Sequence, residues 1–346
     1  MLASTRRHLL ASGAGAIIAA AGTRHAAAQE LRPIRVTHFG GPYAALQGIL
    51  AAPFEAARLG RVTYETENSV SANAKLQAGR ADPPFDVAML SRGITLRAAA
   101  AGLVTPLPMG RIPAAAGLVS GSVAPGNMGV AMLLDSVAIM YDRTKVAQPI
   151  TSWLDLWRPE LRGQIALPSA SLPIYLTLMA VARAVANDTT KPESFDAAFA
   201  KLRELKPAVR VFYSDPVQAS QMMERGEIAA AVQFTGRMPP VIRARPDVAL
   251  ARTKEGVPGV PYDLCLVNNG RNRDTALAYI DFALGRERQT QLGTSLLVTP
   301  AHREAVVPPE SRHMVAEADA IWFPDEELAG QRSTEWSRRW QREVQS

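Results

Sequence analysis

From Ile34 onward the chain alternates short apolar runs with longer amphipathic ones, and this alternation limits its fold more than any other feature. Short runs rich in β-branched residues and bounded by Gly, Pro or Ser predict strands, whereas apolar residues three and four apart predict helices. Strands are expected at Ile34 to Phe39, Val62 to Thr66, Phe85 to Leu90, Val130 to Tyr141, Gln164 to Leu167, Val209 to Tyr213 and Ile228 to Phe234, with helices between them. This pattern is that of an α/β protein, and Phe85-Asp86-Val87-Ala88-Met89-Leu90 reads as a buried parallel strand.

In an open α/β sheet ligands sit beyond the carboxyl ends of strands, so the loops that follow strands are the places to look. Gly40-Gly41-Pro42-Tyr43 follows the first strand, and its backbone N–H groups, that of Gly41 among them, are free for a ligand or simply make a tight turn. G-x-G-x-x-G is absent, which excludes a dinucleotide fingerprint. Ser91-Arg92-Gly93 follows another strand; a guanidinium facing a cleft there favours a carboxylate or phosphate, and one facing solvent does neither. Ser169-Ala170-Ser171 precedes a helix from about Pro173, with Ser171 a candidate N-cap, and Ser169 and Ser171 suit a neutral or anionic group. Phe234-Thr235-Gly236-Arg237 closes a later strand, and Arg237 is a second candidate guanidinium or a solvated loop charge.

Residues 1–28 read as an export address. Thr5-Arg6-Arg7-His8-Leu9-Leu10 is a twin-arginine pattern, an Ala/Gly/Ile run follows, and Ala26-Ala27-Ala28 offers a cleavage site near Ala28. The apolar run is too short and too rich in glycine to span a bilayer, so a soluble periplasmic protein is expected. Removing Arg6, Arg7 and Arg24 lowers the formal charge from +6 to about +3, and no basic stripe with interleaved aromatics points to nucleic acid. Cys265 is the single cysteine, which excludes an internal disulfide, and it sits in an apolar run where a buried inert thiol is expected.

One stretch carries more than periodicity. In Ile150 to Leu167, ITSWLDLWRPELRGQIAL, Thr151 or Ser152 can cap a short helix with Trp153, Leu156 and Trp157 on one face, ended by Pro159 and Gly163. This stretch resembles the second-lobe entry of periplasmic solute-binding proteins of the spermidine/putrescine-binding type. Gly102-Leu103-Val104-Thr105-Pro106-Leu107, Lys254-Glu255-Gly256-Val257 and Leu297-Val298-Thr299-Pro300 resemble further segments of that family in the same order.

The resemblance implies a two-lobed type II periplasmic-binding-protein fold with the ligand cleft between lobes joined by crossing hinge strands. The expected lobes are 29–134 with 264–298, and 135–263 with 299–346, the first crossing falling near Asp135. It further implies ligand contacts at Tyr43, Ser91, Phe234, Tyr262 and Asp263, the last as partner of an amine. The family's aromatic and carboxylate in the first loop are replaced by Gly40 and Pro42, and carboxylates are missing near Ser171, so the expected solute bears a carboxylate or other anion, with or without an amine, ahead of a plain polyamine. If Asp263 is buried, its carboxylate needs a cation from the ligand, from Arg92 or from Arg237. The implied partners are an inner-membrane ABC permease and its ATPase subunits, with a monomer expected and no cofactor or metal. Two other classes stay open: a ferric-iron binder, which would use adjacent tyrosines not found among the seven here, and an enzyme, for which the five histidines form no close pair with carboxylates.

Overall fold

The structure, a computed structural model, describes residues 32–346; the export leader expected over 1–28 lies outside them. Eleven strands form the sheet: β1 (Pro33–His38), β2 (Arg61–Thr66), β3 (Val87–Ser91), β4 (Val130–Asp142), β5 (Ile165–Pro168), β6 (Val209–Tyr213), β7 (Ala230–Phe234), β8 (Val248–Leu250), β9 (Val257–Leu266), β10 (Thr299–Pro300) and β11 (Ile321–Trp322). Their order is β2-β1-β3-β9-β4-β7-β5-β6, with β8 and β10 beside β4 and β11 beside β9.

Both flanks are parallel, β1 pairing with β2 and β3 and β5 pairing with β6 and β7, as helical crossovers require. The centre is antiparallel, because β9 runs against both β3 and β4. The strand at Phe85 to Leu90 is therefore parallel to one neighbour and antiparallel to the other, a mixture that the apolar run alone could not reveal.

β4 joins the two flanks. All 13 of its residues are buried, and it changes partner midway: Val130 to Ser136 lie along β9, and Val137 to Tyr141 lie along β7. The polar pair Asp135-Ser136 marks that change. Ser136 shares a hydrogen bond of 3.1 Å with Thr235, at the foot of β7, so its hydroxyl is satisfied where the ladder switches.

The tryptophan-rich stretch folds as the capping pattern dictates. The Ser152 side chain accepts from the Leu154 N–H while Asp155 accepts from the Ser152 N–H, a reciprocal cap on the turn Trp153–Trp157. Trp153 is fully buried, and its indole N–H donates to the Gly256 carbonyl at 3.0 Å. The Ser152 hydroxyl donates to Glu255, so the tryptophan motif and the Lys-Glu-Gly segment bind each other. Trp157 is half-buried against Lys201, whose ammonium lies 5.3 Å from the ring centroid. Near the C-terminus, Trp336, Trp340 and Val344 are fully buried, as their spacing by four predicts.

Candidate ligand-binding site

A cavity of about 560 Å³ opens at the carboxyl ends of β1, β3 and β7 and beside the partner change in β4. The first wall comes from the loop after β1. Gly40 and Gly41 have φ of +72° and +53°, and a Cβ at Gly40 would stand 2.8 Å from Thr66, so glycine is required there both sterically and torsionally. The reversal brings Tyr43 back to donate its N–H to the Gly40 carbonyl and places its ring beside Phe39. Tyr262 on β9 completes an edge-on cluster, with centroids 5.4 Å (Phe39 to Tyr43), 4.7 Å (Phe39 to Tyr262) and 6.5 Å (Tyr43 to Tyr262).

Asp135 faces this cluster. One carboxylate oxygen accepts from the Ser136 N–H at 2.8 Å, the Thr235 hydroxyl at 2.8 Å and the Gly236 N–H at 2.9 Å. The other oxygen has only the Tyr262 hydroxyl, at 3.5 Å. Burial raises the Asp135 pKa above the usual carboxylate range, opposed by those three hydrogen bonds and by the charge of Arg237. Burial also raises the Tyr43 and Tyr262 phenols, with Asp135 adding to the effect, so both remain neutral hydrogen-bond donors.

Arg237 is exposed at the cavity, and among the described residues its guanidinium has no hydrogen-bond partner or ion pair. Four helices begin at the cavity and contribute residues from their N-terminal ends: Asn68 and Ser69 for Ser69–Ala78, Ser91 for Arg92–Ala100, Tyr175 for Tyr175–Ala186, and Pro216 for Pro216–Glu224. Such ends carry partial positive charge and unpaired N–H groups. Among the described residues, Asp135 and Arg237 are the only charged ones of the lining.

The sequence-derived candidates divide into two groups. Gly41, Tyr43, Ser91, Phe234, Arg237 and Tyr262 line the cavity. Arg92, Asp263, Ser169 and Ser171 do not. Arg92 and Asp263 close on each other through two bonds, Nε and Nη2 donating at 2.7 and 2.8 Å, and Arg92 also donates to the Gly121 and Ser122 carbonyls. Asp263 is fully buried, so the cation it needs is Arg92 and not a ligand amine. Ser169 and Ser171 share a bond of 2.8 Å, and the following helix is capped at Ile174 without either hydroxyl, because Leu172 and Pro173 intervene. Asp215 caps its helix as its place before Pro216 predicts, accepting from the Val217 N–H at 2.9 Å.

Sequence reasoning missed Asp135, Phe39 and Tyr175 as cavity residues. For Asp135 there was a signal: a carboxylate inside a twelve-residue apolar run demands a compensating role. Among the described residues no group of three or more His, Cys, Asp or Glu side chains could hold a metal, and no helix is long and apolar enough to cross a membrane.

A mixed α/β sheet with a cavity at its strand ends and beside its two central strands defines the class of periplasmic binding proteins. The chain belongs to the bacterial extracellular solute-binding proteins, matching that family over residues 50–317, a family of binding proteins and not of enzymes. It is similar to the gamma-aminobutyric acid-binding protein of Pseudomonas aeruginosa, 26% identical over 342 residues covering 91% of this chain and 93% of the relative. The spermidine/putrescine-binding periplasmic protein of Escherichia coli is 29% identical over 148 residues, 42% of this chain and 41% of that protein. In fold it is similar to the crystal structure of an extracellular solute-binding protein from Bordetella parapertussis, with a TM-score of 0.82, 20% identity, and coverage of 90% of this chain and 98% of the other.

Proposed function

We propose that this protein is the substrate-binding component of an ABC importer and that its solute is a small zwitterion bearing an ammonium group and a carboxylate. One observation carries the reading: the cavity lining holds one acid and one base, Asp135 and Arg237. The Asp135 oxygen that meets only the Tyr262 hydroxyl, beside Phe39, Tyr43 and Tyr262, suits an ammonium through its charge and the π-faces of those rings. Arg237 and the four helix N-termini suit a carboxylate. A plain polyamine would leave Arg237 unmatched, and a dicarboxylate would face Asp135.

The relative from Pseudomonas aeruginosa is named for gamma-aminobutyric acid, which has this charge pattern and fits within about 560 Å³ with water to spare. In this reading residues 29–134 with 264–298 form one lobe and 135–263 with 299–346 the other. Closure about the crossings near Asp135 and Asp263 buries the solute, and the closed form is presented to the permease, whose ATPase subunits supply the energy. Export by the twin-arginine leader, cleavage near Ala28 and a monomeric state belong to the same proposal.

Titration calorimetry on the leader-free protein tests it with γ-aminobutyrate, putrescine, spermidine and succinate. The zwitterion is expected to bind at least tenfold more tightly than the other three. Tighter binding of spermidine, putrescine or succinate overturns the charge assignment.

A further inference from the structure

Glu326 lies outside the cavity lining, yet it holds a side chain that makes the wall. It begins the helix Glu326–Arg339, which Asp325 caps by accepting from the Leu328 N–H. Both of its carboxylate oxygens accept from the Tyr175 hydroxyl, at 3.0 and 3.1 Å, and Tyr175 lines the cavity. On its other side Glu326 meets the first turn of the helix Arg92–Ala100. A Cβ on Gly93 would stand 2.9 Å from Oε2, so the carboxylate fills the space a side chain would take.

These two neighbours belong to different cores. Leu176, beside Tyr175, belongs to the core that also holds Phe195 and Trp336 of the Glu326 helix, whereas Ile94 and Ala98, on the Gly93 helix, belong to the core that holds Leu76 and Cys265. Glu326 is thus a carboxylate pinned between two hydrophobic bodies, one hydrogen bond from the cavity. The charged and titratable groups around it are Tyr175, Asp325 beside it in sequence, and Arg92 and Asp263 across the boundary, with Arg97 acting on Tyr175. Arg92 is already committed to Asp263 and to two carbonyls, so it offers Glu326 distant charge and no hydrogen bond.

We propose that Glu326 is a positioning residue for the solute cavity and that its protonation favours the closed arrangement of the two halves. As a neutral acid it stays buried between Tyr175 and Gly93 with little electrostatic cost; as a carboxylate it favours rehydration and separation of the two helices. The inference rests on the hinge-closure reading above and adds its pH control. Burial pushes the Glu326 pKa up to about 7, with Tyr175 and Arg92 opposing and Asp263 and Asp325 adding to it. A glutamate rehydrated by opening returns toward 4.5. Solute affinity should then tighten as pH falls from 8.5 to 5.5, by up to about 30-fold if opening restores full hydration.

The test compares wild type with Glu326→Gln and Tyr175→Phe. The dissociation constant for γ-aminobutyrate is measured by calorimetry from pH 5.5 to 8.5, and the Gly93 amide shift of the solute-saturated protein, in which Glu326 stays buried, is followed over the same range. Wild type is expected to show the tightening and a Gly93 titration near pH 7. Glu326→Gln is expected to show less than about threefold change in affinity and no Gly93 titration. Tyr175→Phe, which removes a donor to the carboxylate, is expected to move the Gly93 midpoint upward. A role confined to packing would leave the three profiles parallel, and parallel profiles or a flat Gly93 amide in wild type overturn the inference. Failure of γ-aminobutyrate to bind overturns the zwitterion reading alone, and the affinity series and the Gly93 titration are then both run with whichever of the other three solutes binds.

Discussion

Arg92 and Asp263 are 171 residues apart and meet through two hydrogen bonds of 2.7 and 2.8 Å, both side chains nearly or fully removed from solvent. The pair joins the first turn after β3 to the middle of β9, at the level where β9 passes β4. Desolvation of Asp263 raises its pKa and Arg92 opposes that, so the guanidinium is what keeps a charge tolerable there. Removing one partner strands the other. Asp263→Ala is expected to destabilise the protein by about 3–5 kcal/mol in denaturant unfolding, whereas the double change Arg92→Met with Asp263→Leu should cost clearly less than the two single changes summed.

Asp135→Asn separates binding from folding. The asparagine oxygen can still accept from Thr235 and Gly236, so stability should change by less than about 1.5 kcal/mol, while the charge offered to an ammonium is lost. Affinity for γ-aminobutyrate should fall by at least about 30-fold in calorimetry, in line with about 2–5 kcal/mol for a buried charged partner.

Arg237→Gln is the complementary change. Its guanidinium has no partner among the described residues, so the melting temperature should stay within about 2 °C of wild type. The zwitterion should lose about tenfold or more in affinity, and putrescine should bind no worse than to wild type, because the one positive side chain of the lining is gone.

Glu326 also sets a stability profile. Buried between Tyr175 and Gly93 its pKa, about 7, exceeds its unfolded value of 4.5, so with solute bound the folded state holds the extra proton between those limits. Stability should therefore fall as pH rises from about 4.5 to about 7 and stay low above it. In denaturant unfolding at pH 8 with saturating solute, Glu326→Gln should be more stable than wild type by as much as about 3 kcal/mol, and this advantage should vanish near pH 4. A variant that loses stability equally at both pH values would refute the assignment.

Gly256→Ala tests the junction under the tryptophan motif. Gly256 has φ of +70°, and a Cβ there would stand 2.4 Å from the Ala320 carbonyl oxygen, a backbone atom that cannot step aside. The same residue accepts the Trp153 indole N–H. A loss of about 2–4 kcal/mol in thermal unfolding is expected, with quenching of Trp153 fluorescence altered in the folded baseline.

The alternation of strands and helices, the long apolar run from Val130, the capped turn at Ser152 and the buried spacing of Trp336, Trp340 and Val344 were legible in the sequence, because each depends on residues within a turn or two of one another. So were the loops at Gly41, Ser91 and Arg237 as strand ends, since each follows directly on a strand; that β3 and β7, which run in opposite directions, end facing each other near the middle of β4 was not. The choice of which charges face the cavity was not. Asp263 and Asp135 are both acids in apolar strands, and only the register of β9 against β3 and β4 sends one to Arg92 and leaves the other with an oxygen free at Tyr262. Local sequence fixes which elements form; partner identity over a hundred residues or more is settled by packing, where a buried charge takes whatever counter-charge the assembled sheet brings within reach.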